Sequence, residues 1–325
     1  MHNLPTWLTK YKESLSKEKL HHAYLLYGRE GLGKENLITS IGNAILCESS
    51  NLVACNKCKN CTLISSNNHP DFHSIQLEEG KKNISISQIL NLRNTIYESS
   101  FLGKNKVISI PNIESMSRDA SDSILKILEE PPKDTFFIMS SNFIHQIPST
   151  IRSRSVEIEI TTPSYNECHN WLSESYSENI ELALELSDNR PLIARNLLDL
   201  NLVDLRSRFI KDISGIIKSG KNIVNISEQW SKELETLPLK IEWMSHILID
   251  AIKHESANLN AQVLSDTENI SRYLGENADI YNLHELLNQT NEIWNLFSGD
   301  TNLRKEYQLQ SLFVAWERGL GISNL

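Results

Sequence analysis

The chain has 325 residues, room for two or three domains at about 150 residues each, and its 40% hydrophobic and 22% charged residues are ordinary for a globular protein. Acidic residues outnumber basic ones 41 to 32, a net charge of −9, which argues against a free-standing binder of naked nucleic acid and leaves any DNA contact local or supplied by partners. With 12 Gly and 9 Pro the chain is neither collagen-like nor of low complexity, and no apolar run reaches the roughly 18 residues of a membrane span.

The first twenty residues are polar and charged and carry no hydrophobic signal segment, so a cytoplasmic protein without a membrane partner is expected. Residues 23–27 are an apolar run ending at Gly28, and from Lys34 the apolar residues Leu37, Ile38, Ile41, Ala44 and Ile45 recur at the spacing of one helix face. A strand is expected over 72–76, a helix through Ile86, Ile89, Leu92 and Ile96 with Ser85 as its cap, and a buried strand over 107–110. A helix over 117–130 is stopped by Pro131-Pro132. Strands follow over 136–139 and 156–160. Strands alternating with helices imply βαβ units and a mostly parallel sheet over residues 1–162. Beyond Pro163 the spacing is helical throughout, with three short helices in 163–200 around Trp171, Leu182 to Leu186 and Leu192 to Leu198, and an all-helical region over 201–325. Trp230, Trp243, Trp294 and Trp316 are expected to pack in that last core.

Gly28-Arg29-Glu30-Gly31-Leu32-Gly33-Lys34 follows a strand and opens a helix, as a phosphate-binding loop does. Glycines let backbone N–H groups converge on phosphate, and Lys34 would meet the outer phosphates. The hydroxyl residue that should follow, a magnesium ligand, is Glu35, which puts negative charge beside a polyphosphate at a cost of roughly 1–4 kcal/mol near 4 Å. The strand over 107–110 should end in the acidic pair that holds magnesium and orients water. It ends in Pro111-Asn112, with Glu114 displaced beyond. Two losses remove both handles on the metal, so a nucleotide-hydrolysing fold without hydrolysis of its own, its loop empty or weakly binding, is expected.

Cys47, Cys55, Cys58 and Cys61 lie within fifteen residues, next to Lys57 and Lys59. Four thiolates at this spacing suit a closed, structural tetrahedral zinc site within residues 47–61. Cys168 stands alone and reads as a small buried apolar residue. Arg152 and Arg154 stand at a helix-to-strand junction, expected near the C-terminal edge of the sheet. An isolated pair would be a solvated or salt-bridged one, but arginines can also be supplied in trans to a neighbour's nucleotide.

These residues, with His22-Ala23-Tyr24-Leu25-Leu26-Tyr27-Gly28, His69-Pro70-Asp71, Leu125-Lys126-Ile127-Leu128-Glu129-Glu130-Pro131-Pro132 and Thr150-Ile151-Arg152-Ser153-Arg154, resemble the clamp-loader subunits of bacterial DNA polymerase III, of the AAA+ class. The motifs span residues 22–160. The altered loop and absent acidic pair are similar to the family's non-hydrolysing subunit rather than to its ATP-hydrolysing gamma/tau subunits. The resemblance implies an α/β AAA+ P-loop domain with a zinc module (1–162), a small helical lid (163–200) and an all-α collar (201–325) that joins a pentameric ring with delta and gamma/tau. That ring loads the sliding clamp onto primed DNA. Ser153-Arg154 match the Ser-Arg of the family's S-R-C motif, making Arg154 the candidate finger and Arg152 its understudy, with Ser155 in place of the motif's Cys. Ser141 falls where the family often carries a polar nucleotide sensor, and Arg190 stands near the place of its lid arginine. Two other readings compete: an active gamma/tau-like ATPase using Glu35 or Glu114 for magnesium, and a zinc-bearing nucleic-acid binder.

Overall fold

Trp7 and Leu8, both buried, organise the first helix, α1 (Thr6–Lys17), in a computed structural model that describes residues 4–17, 20–49, 53–78, 81, 83–103, 105–219, 222–255, 264–298 and 304–319. The helix was not expected from the sequence. Its polar stretch becomes helical because the Trp7 indole N–H donates to the Leu32 carbonyl at 3.0 Å and its ring meets Trp171 edge-on at 5.2 Å. Tertiary anchoring here outweighs a weak local pattern.

The chain then runs β1 (Ala23–Tyr27), α2 (Lys34–Leu46), α3 (Lys59–Ser65), β2 (Phe72–Ser74), α4 (Ile86–Tyr97), β3 (Lys106–Ile110), α5 (Arg118–Glu129), β4 (Thr135–Ser141), α6 (Ser149–Arg152) and β5 (Val156–Glu159). All strand pairs are parallel, in the order β2-β3-β4-β1-β5. Side chains alternate between two covered faces. Ala23, Leu25, Ile108, Phe137 and Met139 pack with Ile89, Leu92, Ile124 and Leu128 of α4 and α5. Tyr24, Leu26, Val107 and Ile138 pack with Leu37, Ile41 and Ile45 of α2 and with Trp7 and Leu8.

Local chemistry fixes the element ends. Ser85 and Gln88 form a reciprocal capping box on α4, and the Ser117 hydroxyl accepts the Ala120 N–H at the start of α5. Lys106 is buried in β3, and its ammonium donates to the carbonyls of Thr95, Ile96 and Glu98, the open acceptors at the C-terminal end of α4. Buried Asp71 accepts the N–H groups of Phe101 at 2.6 Å and Leu102 at 2.8 Å. Together they lock the turn between α4 and β3.

Three short helices complete the first compact unit, residues 1–198: α7 (Tyr165–Ser173), α8 (Ile180–Leu186) and α9 (Pro191–Asp199), whose last residue marks the boundary. The second unit, residues 199–325, is all-helical among its described residues: α10 (Leu202–Ser219), α11 (Ile223–Lys232), α12 (Leu237–Glu255), α13 (Glu268–Asn277), α14 (Ile280–Ser298) and α15 (Lys305–Gly319). Its core is aromatic. Trp230, Trp243, Trp316, Phe209 and Phe313 are fully buried, whereas Trp294 is only half-buried. The Trp230 indole donates to Asp212 at 2.9 Å. Arg206, also buried, pairs bidentately with Asp266 at 2.7 and 2.9 Å and lies over the Trp243 ring. No described helix is long and apolar enough to cross a membrane.

Candidate functional site

Gly28 leaves β1 with φ +152°, and a Cβ there would lie 2.3 Å from the Ile160 carbonyl oxygen, so only glycine fits between the ends of β1 and β5. Gly31 (φ +82°) and Gly33 (φ +87°) turn the chain into α2. The loop therefore has the strand–turn–helix geometry of a phosphate cradle. Its lysine does not point out of it. Lys34 is only 6% exposed, and its ammonium donates to the carbonyls of Gly28 at 2.7 Å and Arg29 at 2.8 Å and to Asn142 Oδ1 at 2.7 Å. All three ammonium donors have acceptors within the chain. Burial pushes Lys34 down to about 8, against the pull of Glu114, Glu30 and Glu35.

The surroundings close the site further. Asn112, two residues beyond β3, opens the 3₁₀ turn Ile113–Ser115 in the left-handed region (φ 52°), and its Oδ1 accepts from the Asn142 amide at 3.2 Å. Glu114 Oε1 accepts the Asn142 N–H at 2.8 Å. Asn112 and Asn142 thus form an amide pair just beyond β3 and β4, with one oxygen of the Glu114 carboxylate turned to backbone. From the other side, the Leu192 N–H donates to the Gly31 carbonyl at 3.1 Å and the Ile193 side chain sits where a Gly31 Cβ would go. Arg29 pairs with Asp188 at 2.9 Å. The cavity left beside Lys34 is about 250 Å³ and is lined by Glu30, Glu35, Asn142 and Leu192 among others. That is below the roughly 300–1,000 Å³ of small-molecule sites. Ser141 is buried and its hydroxyl accepts the Phe143 N–H. Its neighbour Asn142, which the sequence did not single out, is the residue that reaches Lys34. Arg190 is buried and donates to the Ser187 carbonyl at 2.7 Å.

The four cysteines converge. The Sγ atoms of Cys47, Cys55, Cys58 and Cys61 all lie within 4.8 Å of one another, with Cys47–Cys58 at 4.0 Å and Cys55–Cys61 at 3.9 Å. A tetrahedron of sulfurs about 2.3 Å from a zinc ion has edges of about 3.8 Å, so the cluster can hold a metal ion of that kind. Backbone N–H groups of Cys55, Cys58 and Cys61 donate to the sulfurs of Cys47, Cys55 and Cys58 at 3.3–3.4 Å. Such bonds stabilise thiolates. Burial works against the Cys47 thiolate, yet donors from Ser49 and Cys55 hold it down to about 6, while burial pushes Cys61 up to about 12. Two of the ligand positions sit on α3, a helix the sequence did not suggest, with Cys58 as its cap and Cys61 in its first turn. Cys168 is fully buried and its thiol donates to the Asn189 carbonyl at 3.4 Å.

The arginines lie elsewhere than expected. Val156 pairs with Tyr24 at the beginning of β1, so Arg152 and Arg154 stand at the N-terminal edge of the sheet, opposite the phosphate loop. The chain leaves β4 at the loop edge, and residues 142–155, including α6, carry it back across the sheet before β5 begins. Arg152 is held side-on by Glu157, Nε to Oε1 at 2.8 Å and Nη2 to Oε2 at 3.2 Å. Arg154 donates from Nη1 to the Thr150 carbonyl at 2.9 Å and to Ser153 Oγ at 3.3 Å, and from Nη2 to Glu129 at 2.6 Å.

A parallel sheet in this strand order, a phosphate loop between its first strand and helix, and a helical unit beyond define an AAA+ P-loop protein, here carrying a four-cysteine cluster. Residues 4–164 match the family described as DNA polymerase III, delta subunit, and residues 201–318 match DNA polymerase III, delta subunit, C terminal. Relatives called DNA polymerase III subunit delta' are similar over most of the chain. That of Buchnera aphidicola subsp. Acyrthosiphon pisum is 30% identical over 78% of this chain and 80% of its own length. That of Pseudomonas aeruginosa is 29% identical over 91% of each, and that of Escherichia coli K12 25% identical over 92% of this chain and 90% of its own. The chain belongs to the delta' family of DNA polymerase III, a clamp-loader component of that holoenzyme.

Proposed function

We propose that this chain is a non-hydrolysing wall of the clamp loader that lends Arg154, presented with Ser153, to nucleotide bound on an adjacent subunit. The observation that carries this reading is position. The register places Val156 beside Tyr24, while the phosphate loop begins at Gly28. Four residues of strand at about 3.3 Å each separate the two edges by roughly 13 Å. Arg154 therefore serves another protomer's nucleotide, not its own loop, whose lysine is already bonded within the chain.

On this reading the guanidinium stabilises charge on a phosphoryl group moving from ATP to water in a gamma/tau neighbour. Cys47, Cys55, Cys58 and Cys61 hold a structural Zn²⁺ that fixes the segment after α2. Residues 163–200 act as a lid closed on an idle loop, with Gly28, Gly33 and Lys34 kept for the fold. Residues 201–325 form the collar of a pentameric ring with delta and gamma/tau, which works in the cytoplasm on the sliding clamp and primed DNA.

The test is a complex reconstituted with its cognate subunits. Arg154→Ala should leave assembly intact and depress the DNA-stimulated ATPase; an unchanged rate would move the finger elsewhere. The purified chain alone with Mg-ATP should show no turnover, and a rate near 1 s⁻¹ or above, ordinary for an enzyme, would instead favour a gamma/tau-like ATPase.

A further inference from the structure

We propose that Glu129 is the positioning residue of Arg154: it holds one nitrogen of the guanidinium so that the fork faces outward in a fixed plane. The assignment rests on the reading of Arg154 as a finger and gives a role to the first carboxylate of the Leu128-Glu129-Glu130-Pro131-Pro132 stretch.

Local chemistry gives Glu129 no reason to be where it is. It is the last residue of α5, Glu130 is the C-cap, and Pro131-Pro132 follow. A carboxylate in that last turn faces the negative end of the helix dipole. Its position is offset by one partner, Arg154, whose Nη2 donates to Glu129 Oε1 at 2.6 Å.

The geometry of the pair is that of a mount. Nη1 alone meets Thr150 and Ser153, and a planar group held at one nitrogen can pivot about it. The Glu129 bond to Nη2 adds a second fixed point and so sets the plane. Five N–H groups belong to a guanidinium, and three hydrogen bonds are made to described residues, so at least two donors remain for an external anion. Two donors in a fixed fork are what bidentate phosphate recognition needs. Arg152 differs, since Glu157 occupies its side-on edge with both oxygens. Arg154 and Glu129 are both substantially exposed, 34% and 51% at the side chain. The pair is therefore a guide rather than a lock.

The experiment uses the reconstituted complex with Mg-ATP and primed DNA, comparing Glu129→Ala, Glu129→Gln, Glu130→Ala, Arg154→Ala and the double variant Glu129→Ala/Arg154→Ala. Assembly is checked by gel filtration. Glu129→Ala should lower the kcat that depends on this chain by about two- to fivefold, the range of an exposed ion pair, with the KM for ATP unchanged. Glu129→Gln keeps an acceptor oxygen and should restore most of the loss, and Glu130→Ala should match the parent. The double variant should be no slower than Arg154→Ala alone, because Glu129 acts through that arginine. Additive losses in the double variant, or a Glu129→Ala complex as fast as the parent or faster, overturn the proposal while leaving the finger reading intact. An inert Arg154→Ala overturns the finger reading itself.

Discussion

Replacing Lys34 by Met tests whether the phosphate loop is silent. The wild-type ammonium is buried, and burial brings it down to about 8 from the usual 10.5. At about 1.36 kcal/mol per pH unit, that gap corresponds to on the order of 3 kcal/mol. The sign follows from proton counting. Between pH 8 and 10.5 the unfolded chain still holds this proton and the folded chain has released it, so stability rises with pH across that window. The penalty is fully present below about pH 8 and gone above 10.5. In urea titrations at pH 7, 8, 9 and 10, the wild type should therefore gain on Lys34→Met, by about 2–3 kcal/mol at pH 10, with other titrations cancelling between the two chains. In the assembled complex, Lys34→Met should leave the ATPase unchanged, since the ammonium already donates to Gly28, Arg29 and Asn142. Parallel pH curves would refute the burial argument. A fall in ATPase without loss of assembly would show that the lysine meets nucleotide after all.

Three further perturbations have defined outcomes. Elemental analysis should find about one zinc per chain, and Cys58→Ser or a strong chelator should remove it; amide exchange should then rise over residues 47–65 while the sheet stays protected, and a metal-free protein with a protected segment would contradict this. Gly28→Ala drives a Cβ to 2.3 Å from the Ile160 carbonyl oxygen and should cost about 1–3 kcal/mol or more in denaturant unfolding; an unchanged midpoint would show that the β1–β5 junction yields. Asp71→Asn keeps one acceptor oxygen and turns an NH₂ donor toward the other of the Phe101 and Leu102 N–H groups, so the exchange of at least one of them should accelerate, at a cost of about 1–3 kcal/mol; protection of both equal to wild type would place the lock elsewhere.

Features written in contiguous residues were legible in advance. The loop from Gly28 to Lys34, the cysteine spacing and the Ser85 cap all act within a few positions of themselves, and each is found where expected, whereas Ser117, read as the first residue of its helix, is that helix's cap. What was missed depends on residues far apart in the chain. α1 owes its helix to Leu32 and Trp171, and α3 is a seven-residue helix capped by a cysteine, Cys58, whose sulfur joins Cys47 from the end of α2. The Asn142–Lys34 bond joins residues 108 positions apart. Arg154 was placed at the wrong edge of the sheet because nothing in the sequence says that residues 142–155 recross it before β5.

The bonding of Lys34 also bears on ancestry. On the reading proposed above, a hydroxyl at position 35 and carboxylates at positions 111 and 112 would still leave the ammonium donating to Gly28, Arg29 and Asn142. On that reading, re-creating a fuel site takes several substitutions together. A silent loop of this kind behaves as a ratchet, easier to enter by single steps than to leave.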